Sequence, residues 1–318
     1  MARWARRQSV VSVCIPTYNH VDFIADCLNG VLSQRTTFPF EVIVRDDAST
    51  DGTQDVLREF QGRYPDILKL QLNTVNEFPH MRPIPDLLDQ ASADFVALCD
   101  GDDYWIRDDK LERQVALLVE DETRSAVAHG CYVRKGHHFL RPSKKTQRRE
   151  FPRGDMFPVF AMHTHSLMFR RIELSQEVVR RAPHGDVILR SQLCSSGSVL
   201  LDSTYIASVY RVHAASLVHS DLEMSGRRTV YSFIAAAEYL ASQGDSKGSA
   251  QLFAMGIRFA AARYSREYNT SIIGSVRREL GVSFRVGNSM RSTLRKSLRL
   301  RQLYFACKRQ QDPLLLSE

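Results

Sequence analysis

The sequence predicts an α/β fold: a mainly parallel sheet flanked by helices, followed by a helical C-terminal extension. Three observations carry that expectation. Over the first 130 residues, short β-branched runs alternate with segments whose apolar residues recur about every 3.6 positions. A polar cluster directly follows three of those runs, at the place where an open parallel sheet presents its ligand loops. From about residue 221 onward only helical periodicity is present.

The β runs are SVVSVCI (9–15), FEVIVR (40–45), ILKLQL (67–72) and DFVALC (94–99). VDFIADCLNGVLSQ, GTQDVLREFQGRY and DDKLERQVALLVE, between or after them, have helical spacing. MRPIPDLLDQAS reads as a shorter helix whose start is displaced by Pro83 and Pro85, because proline lacks the N–H that a helix interior needs. Alternating strands and helices imply a parallel sheet covered on both faces. Between 160 and 213 the pattern is mixed, with SLMFR and TYIASVYRVH as strands and a helix through HGDVILRSQLCSS. RKGHHFLRPSKKTQRREFPR (134–153), poor in apolar residues, reads as an exposed, mobile loop.

With 318 residues, 43% apolar and 25% charged, the chain is neither disordered nor collagen-like. No apolar run approaches the roughly 18 residues of a membrane span, and the basic start MARWARR leads into no signal-peptide core. Six scattered cysteines without a CxxC pair suit a reducing compartment. The net charge of +7 is uneven: residues 258–318 hold 13 basic and 4 acidic side chains, and the rest is close to neutral. Such a basic tail suits an anionic lipid surface, a nucleic acid or an acidic partner.

The three clusters are Pro16-Thr17-Tyr18-Asn19, Asp46-Asp47-Ala48-Ser49-Thr50-Asp51-Gly52-Thr53 and Asp100-Gly101-Asp102-Asp103. Parallel strands bring all three to one edge. Carboxylates as close as those of 100–103 repel unless a cation sits among them, and Mg²⁺ or Mn²⁺ takes a few carboxylates plus phosphate oxygens. An EF-hand fails, since its twelfth position from Asp47 is Arg58. GxGxxG, GxxxxGK[ST] and HExxH are absent; Gly244-Asp245-Ser246-Lys247-Gly248 matches GxSxG but lies in a polar break between helices and reads as a linker. His137-His138 and His163-Thr164-His165 have no further ligands at zinc spacing and read as solvated or locally bonded.

VSVCIPTYN, VIVRDDASTDGT and ALCDGDDYW followed by DDKLERQVALL resemble glycosyltransferase family 2, with its GT-A fold. HSLMFRR (165–171), HGDVILR (184–190) and YRVHAASLVHS (210–220) continue the resemblance more loosely. It implies an inverting enzyme that moves a sugar from a nucleotide diphosphate to an acceptor with a divalent metal, Mn²⁺ or Mg²⁺. By position, Pro16, Thr17 and Tyr18 would line the nucleoside pocket and Asp47 would bond the base, typically uracil. Asp100 would contact ribose or metal, Asp102 would hold the metal, Asp186 would be the catalytic base, and His213 would lie near diphosphate or metal. The chain departs from the pattern at Gly185-Asp186-Val187, where the base usually follows an acid and precedes an aromatic. It departs again at Asn76–His80, which replaces an Asn-Leu-Gly-rich stretch; Arg82, just beyond, stands at the donor loop.

The chemistry coheres without the family. Displacement at an anomeric carbon needs a base for the acceptor hydroxyl and cationic stabilisation of the departing diphosphate. Asp186 also suits the plain role of a helix N-terminal acid, and Tyr104 and Trp105 suit either core packing or an apolar platform for an acceptor sugar. Residues 1–220 would form the GT-A domain, with 9–120 binding the nucleotide sugar and 121–220 the acceptor. The basic helical extension, 221–318, would contact a membrane, a second subunit or the catalytic domain. The expected acceptor is a carbohydrate, glycolipid or protein, the expected location is the cytosol or the inner membrane face, and no nucleic-acid partner is expected. The competing function is a non-catalytic nucleotide-sugar-binding or scaffolding protein.

Overall fold

The computed structural model describes residues 9–77, 83–136, 138–140, 147–182, 184–213 and 222–264. Strands β1 (Val11–Thr17), β2 (Phe40–Asp46), β3 (Leu68–Leu72) and β4 (Phe95–Leu98) run parallel in the order β3-β2-β1-β4. Their apolar runs alternate between two cores, as a period of two requires. Cys14, Ile43, Val96 and Leu98 face one; Val13, Ile15, Val42, Val44 and Ala97 face the other.

Each core is closed by helices whose apolar stripe faces the sheet. α1 (Ile24–Leu32), α2 (Thr53–Arg63) and α4 (Lys110–Glu120) bury Leu28, Leu57 and Leu118 on the second face. On the first lie α3 (Pro83–Gln90), α5 (Pro158–Ala161), α6 (Gln176–Arg181) and α7 (Gly185–Ser196). α8 (Leu222–Ser242) adds Phe233, Ala236 and Leu240 to that same core, and α9 (Ser246–Tyr264) adds Leu252. α3 begins on Pro83 itself, where a missing N–H is harmless.

Beyond β4 the sheet becomes mixed. β9 (Leu167–Arg170) is antiparallel to both β4 and β6 (Arg124–Lys135), and β6 is parallel to β10 (Ser198–Val212). β5 (Tyr104–Trp105) closes that edge antiparallel to β10. The parallel pattern therefore holds over β3-β2-β1-β4, and the second half hangs on β9.

Residues 134–153 are not one loop. Their described part includes the end of β6, then β7 (His138–Leu140) on β6 and β8 (Arg148–Phe151) on β10. Phe151, 1% exposed, anchors β8 while its charged neighbours face outward, so the charge density concealed a strand. β6 was also not anticipated, because its buried half is built from Ser125, Ala126, Ala128 and Gly130 rather than large β-branched residues. The expected linker at Gly244 is a turn between α8 and α9, with φ of +82°, a conformation that favours glycine. Arg82 and residues 265–318 lie outside the described residues. Among those described, no helix is long and apolar enough to cross a membrane.

Candidate active site

The three polar clusters leave the carboxyl ends of β1, β2 and β4, which are adjacent strands. Backbone bonds pin the loops together: Asp47 N–H donates to Thr17 O at 3.0 Å, and Gly101 N–H donates to Pro16 O at 3.0 Å. A Cβ on Gly101 would lie 2.6 Å from Thr17 Oγ1, so only glycine allows the acidic loop to pass this close to β1. Side chains lock the first two loops as well. Thr50 N–H donates to Asn19 Oδ1 and Val21 N–H to Asp51 Oδ2, each at 2.9 Å. Asn19 and Ala48 take positive φ of 53° and 62°, local strain held by that network.

Asp46 spends its carboxylate on the loop, accepting from Ser49 N at 2.9 Å, from the Ser49 hydroxyl and from Gln54 Nε2 at 2.6 Å. Asp47 is held differently. Its Oδ1 accepts from Glu77 N at 3.1 Å, Asn73 Nδ2 at 3.2 Å and Arg45 at 3.4 Å. Arg45, 1% exposed beneath the loop, also pairs with Asp86 at 2.8 Å and with Glu77. Sequence reading had passed over Arg45 as part of a strand. Tyr18 is 41% exposed at the rim, free to lie against a ring.

In the acidic loop the three carboxylates divide their work. Asp103, 1% exposed, is a strut: Arg211 N–H donates to its Oδ1 at 2.8 Å, and His165 Nδ1 lies 2.6 Å from its Oδ2. Asp102 meets two imidazoles, with His213 Nε2 at 3.0 Å and His20 Nε2 at 3.9 Å. Burial opposes its charge, but the His213 bond and the two histidines hold its pKa below the usual range. Asp100 has no such help. Burial first, then repulsion from Asp103, Asp102 and Asp186, drives its pKa well above a normal carboxyl. His20, joined to Thr17 Oγ1 at 3.1 Å, is kept largely neutral by burial despite Asp102.

A divalent cation fits this donor set. Crowded, desolvated carboxylates beside an imidazole offer hard oxygen and nitrogen ligands, and a cation would offset the repulsion that burdens Asp100. Among the described residues, ligand atoms of Asp100, Asp103 and His165 lie within 4.8 Å of one another, while the expected ligands Asp102 and His213 meet each other at 3.0 Å.

Asp186 lies in the first turn of α7, near enough to add to the repulsion on Asp100. Its Oδ2 is 3.0 Å from Arg190 one turn on, and Arg190 also donates to Thr164 Oγ1 at 2.8 Å. Trp105 is a core residue, not a platform: it is 3% exposed, its Nε1–H donates to His165 O at 2.9 Å, and Lys110 Nζ sits 3.8 Å above its ring. Tyr104 lies beneath the Arg211 guanidinium at 4.2 Å.

Sequence reading missed His20 and Arg211, and read His165 only as solvated or locally bonded. For His20 a signal existed, since it follows Thr17-Tyr18-Asn19 directly. His165 and Arg211 reach Asp103 from 62 and 108 residues away.

Residues 12–175, more than half the chain, match the family model described as Glycosyl transferase family 2. The chain belongs to that family. The match ends before Asp186 and His213. An uncharacterised protein of Mycobacterium tuberculosis (strain H37Rv) is 31% identical over 214 residues, 67% of this chain and 60% of that protein. The putative teichuronic acid biosynthesis glycosyltransferase TuaG of Bacillus subtilis (strain 168) is 34% identical over 122 residues, 38% of this chain and 45% of TuaG. This chain therefore spans three-fifths or less of the length of these relatives. Among solved structures, S. aureus TarS in complex with UDP-GlcNAc has a TM-score of 0.59 at 18% identity, over 83% of this chain and 76% of that one. The mannosyltransferase PcManGT from Pyrobaculum calidifontis, in complex with GDP-Man and Mn²⁺, has a TM-score of 0.53 at 17% identity, over 94% and 88%. At such identities the likeness is one of fold, and the fold is GT-A.

Proposed function

We propose that this chain is an inverting, metal-dependent glycosyltransferase that moves a sugar from a UDP-type donor to an acceptor hydroxyl. The observation that carries the reading is the convergence on one sheet edge of Asp100, Asp102, His213 and Asp186 with the Thr17–Tyr18 and Asp47 loops. Pro16, Thr17 and Tyr18 would wall the nucleoside and Asp47 would take the N3–H of the base. Asp100 and Asp102, with His213, would hold Mn²⁺ or Mg²⁺, which when bound supplies charge neutralisation for the diphosphate. Asp186 would accept the proton of the acceptor hydroxyl as its oxygen attacks the anomeric carbon from the face opposite the leaving group. Arg190 would keep that carboxylate aimed.

The donor class draws support from the UDP and UDP-GlcNAc complexes of TarS, and the metal from the Mn²⁺ of PcManGT. TuaG, by its name, acts in teichuronic acid biosynthesis, which favours a carbohydrate or polymer acceptor. The experiment is calorimetry of UDP binding with and without Mn²⁺. Asp102→Asn is expected to abolish the Mn²⁺-dependent part with the melting temperature preserved; metal-dependent binding that survives the substitution removes Asp102 from the site.

A further inference from the structure

Asp103 leads from the acidic loop to a second group of ligand-type side chains. His163 precedes a single 3-10 turn (Thr164–Ser166) that contains His165, and the two rings lie 5.4 Å apart with Tyr210 packed against both. Cys131, from the middle of β6, completes a triplet. Its Sγ and one ring nitrogen of each histidine all lie within 4.8 Å of one another. The donor and metal reading above uses none of the three.

His165 is arranged as a ligand is. It is 1% exposed, its Nδ1 is engaged by Asp103, and its Nε2 has no hydrogen-bond partner. Leaving such a nitrogen bare and buried costs free energy. Metal-bound imidazoles characteristically give their second nitrogen to a carboxylate, which fixes the tautomer and ring orientation. Burial, with neighbouring cationic groups, holds His165 down to about 3, so it is neutral and carries a lone pair. Burial pushes the Cys131 thiol up to about 12, so without a cation it stays protonated and inert.

We propose that Cys131, His163 and His165 form a zinc-class site, distinct from the Asp100–Asp102 site, with water in the fourth position. Two histidines and a thiolate suit a borderline-soft divalent ion, whereas Mg²⁺ and Mn²⁺ prefer oxygen. Binding forms a sulfur–metal bond, releases the thiol proton to solvent and changes no oxidation state. His163, the exposed member, gives the route from solvent. His165 also falls within a hard-donor set with Asp100 and Asp103, which is the competing destination for a cation. An ion at the triplet would tie β6 to the turn before β9 and, through Asp103, brace the loop that carries Asp102.

The test uses the full chain, stripped with chelator and titrated with Co²⁺ alone and then with Zn²⁺. One Co²⁺ per chain is expected at the triplet, with near-ultraviolet thiolate-to-metal absorption, tetrahedral visible bands and displacement by Zn²⁺; Co²⁺ at the Asp100–Asp102 site would add no sulfur band. Cys131→Ser and His163→Ala should each lose the thiolate band or the tetrahedral bands, while Asp102→Asn keeps both. Melting curves in chelator check that each variant folds, and the exposed His163 position serves if Cys131→Ser does not. Co²⁺ binding without the sulfur band, or loss of the band in Asp102→Asn but not in Cys131→Ser, overturns the proposal.

Discussion

The edge that carries the three polar clusters, β1 to β4, and the flank from β6 to β10 are built by different means. On the first, short motifs make their own structure. Asp46 and Ser49 are three residues apart, Asp51 and Thr53 two, and the loops close on neighbouring strands in unbroken register. On the second, β6 and β10 pair with register shifts around Asp202–Ser208, and the buried polar contacts span much longer stretches of sequence. The lesson concerns where specificity can reside. A self-sufficient edge tolerates little change, whereas a flank assembled from remote residues can vary with less effect on that edge.

The largest expected effect tests whether the flank supplies the chemistry. Asp186→Asn keeps the size of the side chain in the first turn of α7 and removes the charge and basic lone pair of the carboxylate. Transfer should fall by about 10²–10⁴-fold, the usual loss of a positioned base, while UDP affinity stays near that of the unaltered chain. Single-turnover transfer alongside calorimetry checks it. If affinity falls with the rate, the two regions are one functional unit and the division fails.

Next comes the foundation of the β1 to β4 edge. Arg45→Met leaves Asp47, Asp86 and Glu77 without their shared cation. Removing one partner of a buried pair costs about 3–5 kcal/mol, and partial exposure of Glu77 and Asp86 places this case near 3. Urea unfolding reads the loss, and a cost below about 1 kcal/mol would mean that the loop holds Asp47 unaided.

Legibility followed the same boundary. β1 to β4, their helices and the three clusters could be read directly, because hydrophobic period and turn chemistry are local signals. The acidic loop was legible as a group, but the division of labour within it was not. Asp103 became a strut only when Arg211 and His165 arrived from elsewhere in the chain. Likewise His163 and His165 lacked a third ligand in sequence, since Cys131 joins them only through β6–β9 pairing. Trp105 was ambiguous until the buried lysine on its face placed it in the core. β6 and β8 escaped because small or charged residues dominate them.

Lys110 gives a test at the seam of the two regions. Its Nζ, wholly buried, bonds Gln114 Oε1 at 2.7 Å, and Cys99, His129 and His165 surround it. Burial brings its pKa down to about 7 from an unfolded value of about 10.5. Between those values the unfolded chain binds more protons than the native one, so stability rises with pH across that window; below about 7 the penalty is constant. The slope contributed is at most ~1.4 kcal/mol per pH unit. Lys110→Met should flatten the rise between pH 7 and 10 in urea titrations; an unchanged slope would assign it to other groups.

The smallest effect on transfer is expected from the basic C-terminal segment. RSTLRKSLRLRQLYFACKR (291–309) combines Leu294, Leu298, Tyr304 and Phe305 with many basic residues, the composition of an interfacial segment. Each basic residue near an anionic leaflet is worth about 1 kcal/mol, and salt screens it. The cut belongs after Tyr264, because α9 runs to that residue and buries Leu252 in the core. A chain ending there should transfer to a soluble acceptor at nearly the full rate but lose salt-sensitive binding to anionic vesicles. Equal vesicle binding by both chains would refute the surface role. A fall in transfer to the soluble acceptor would instead place the segment against the β6 to β10 flank.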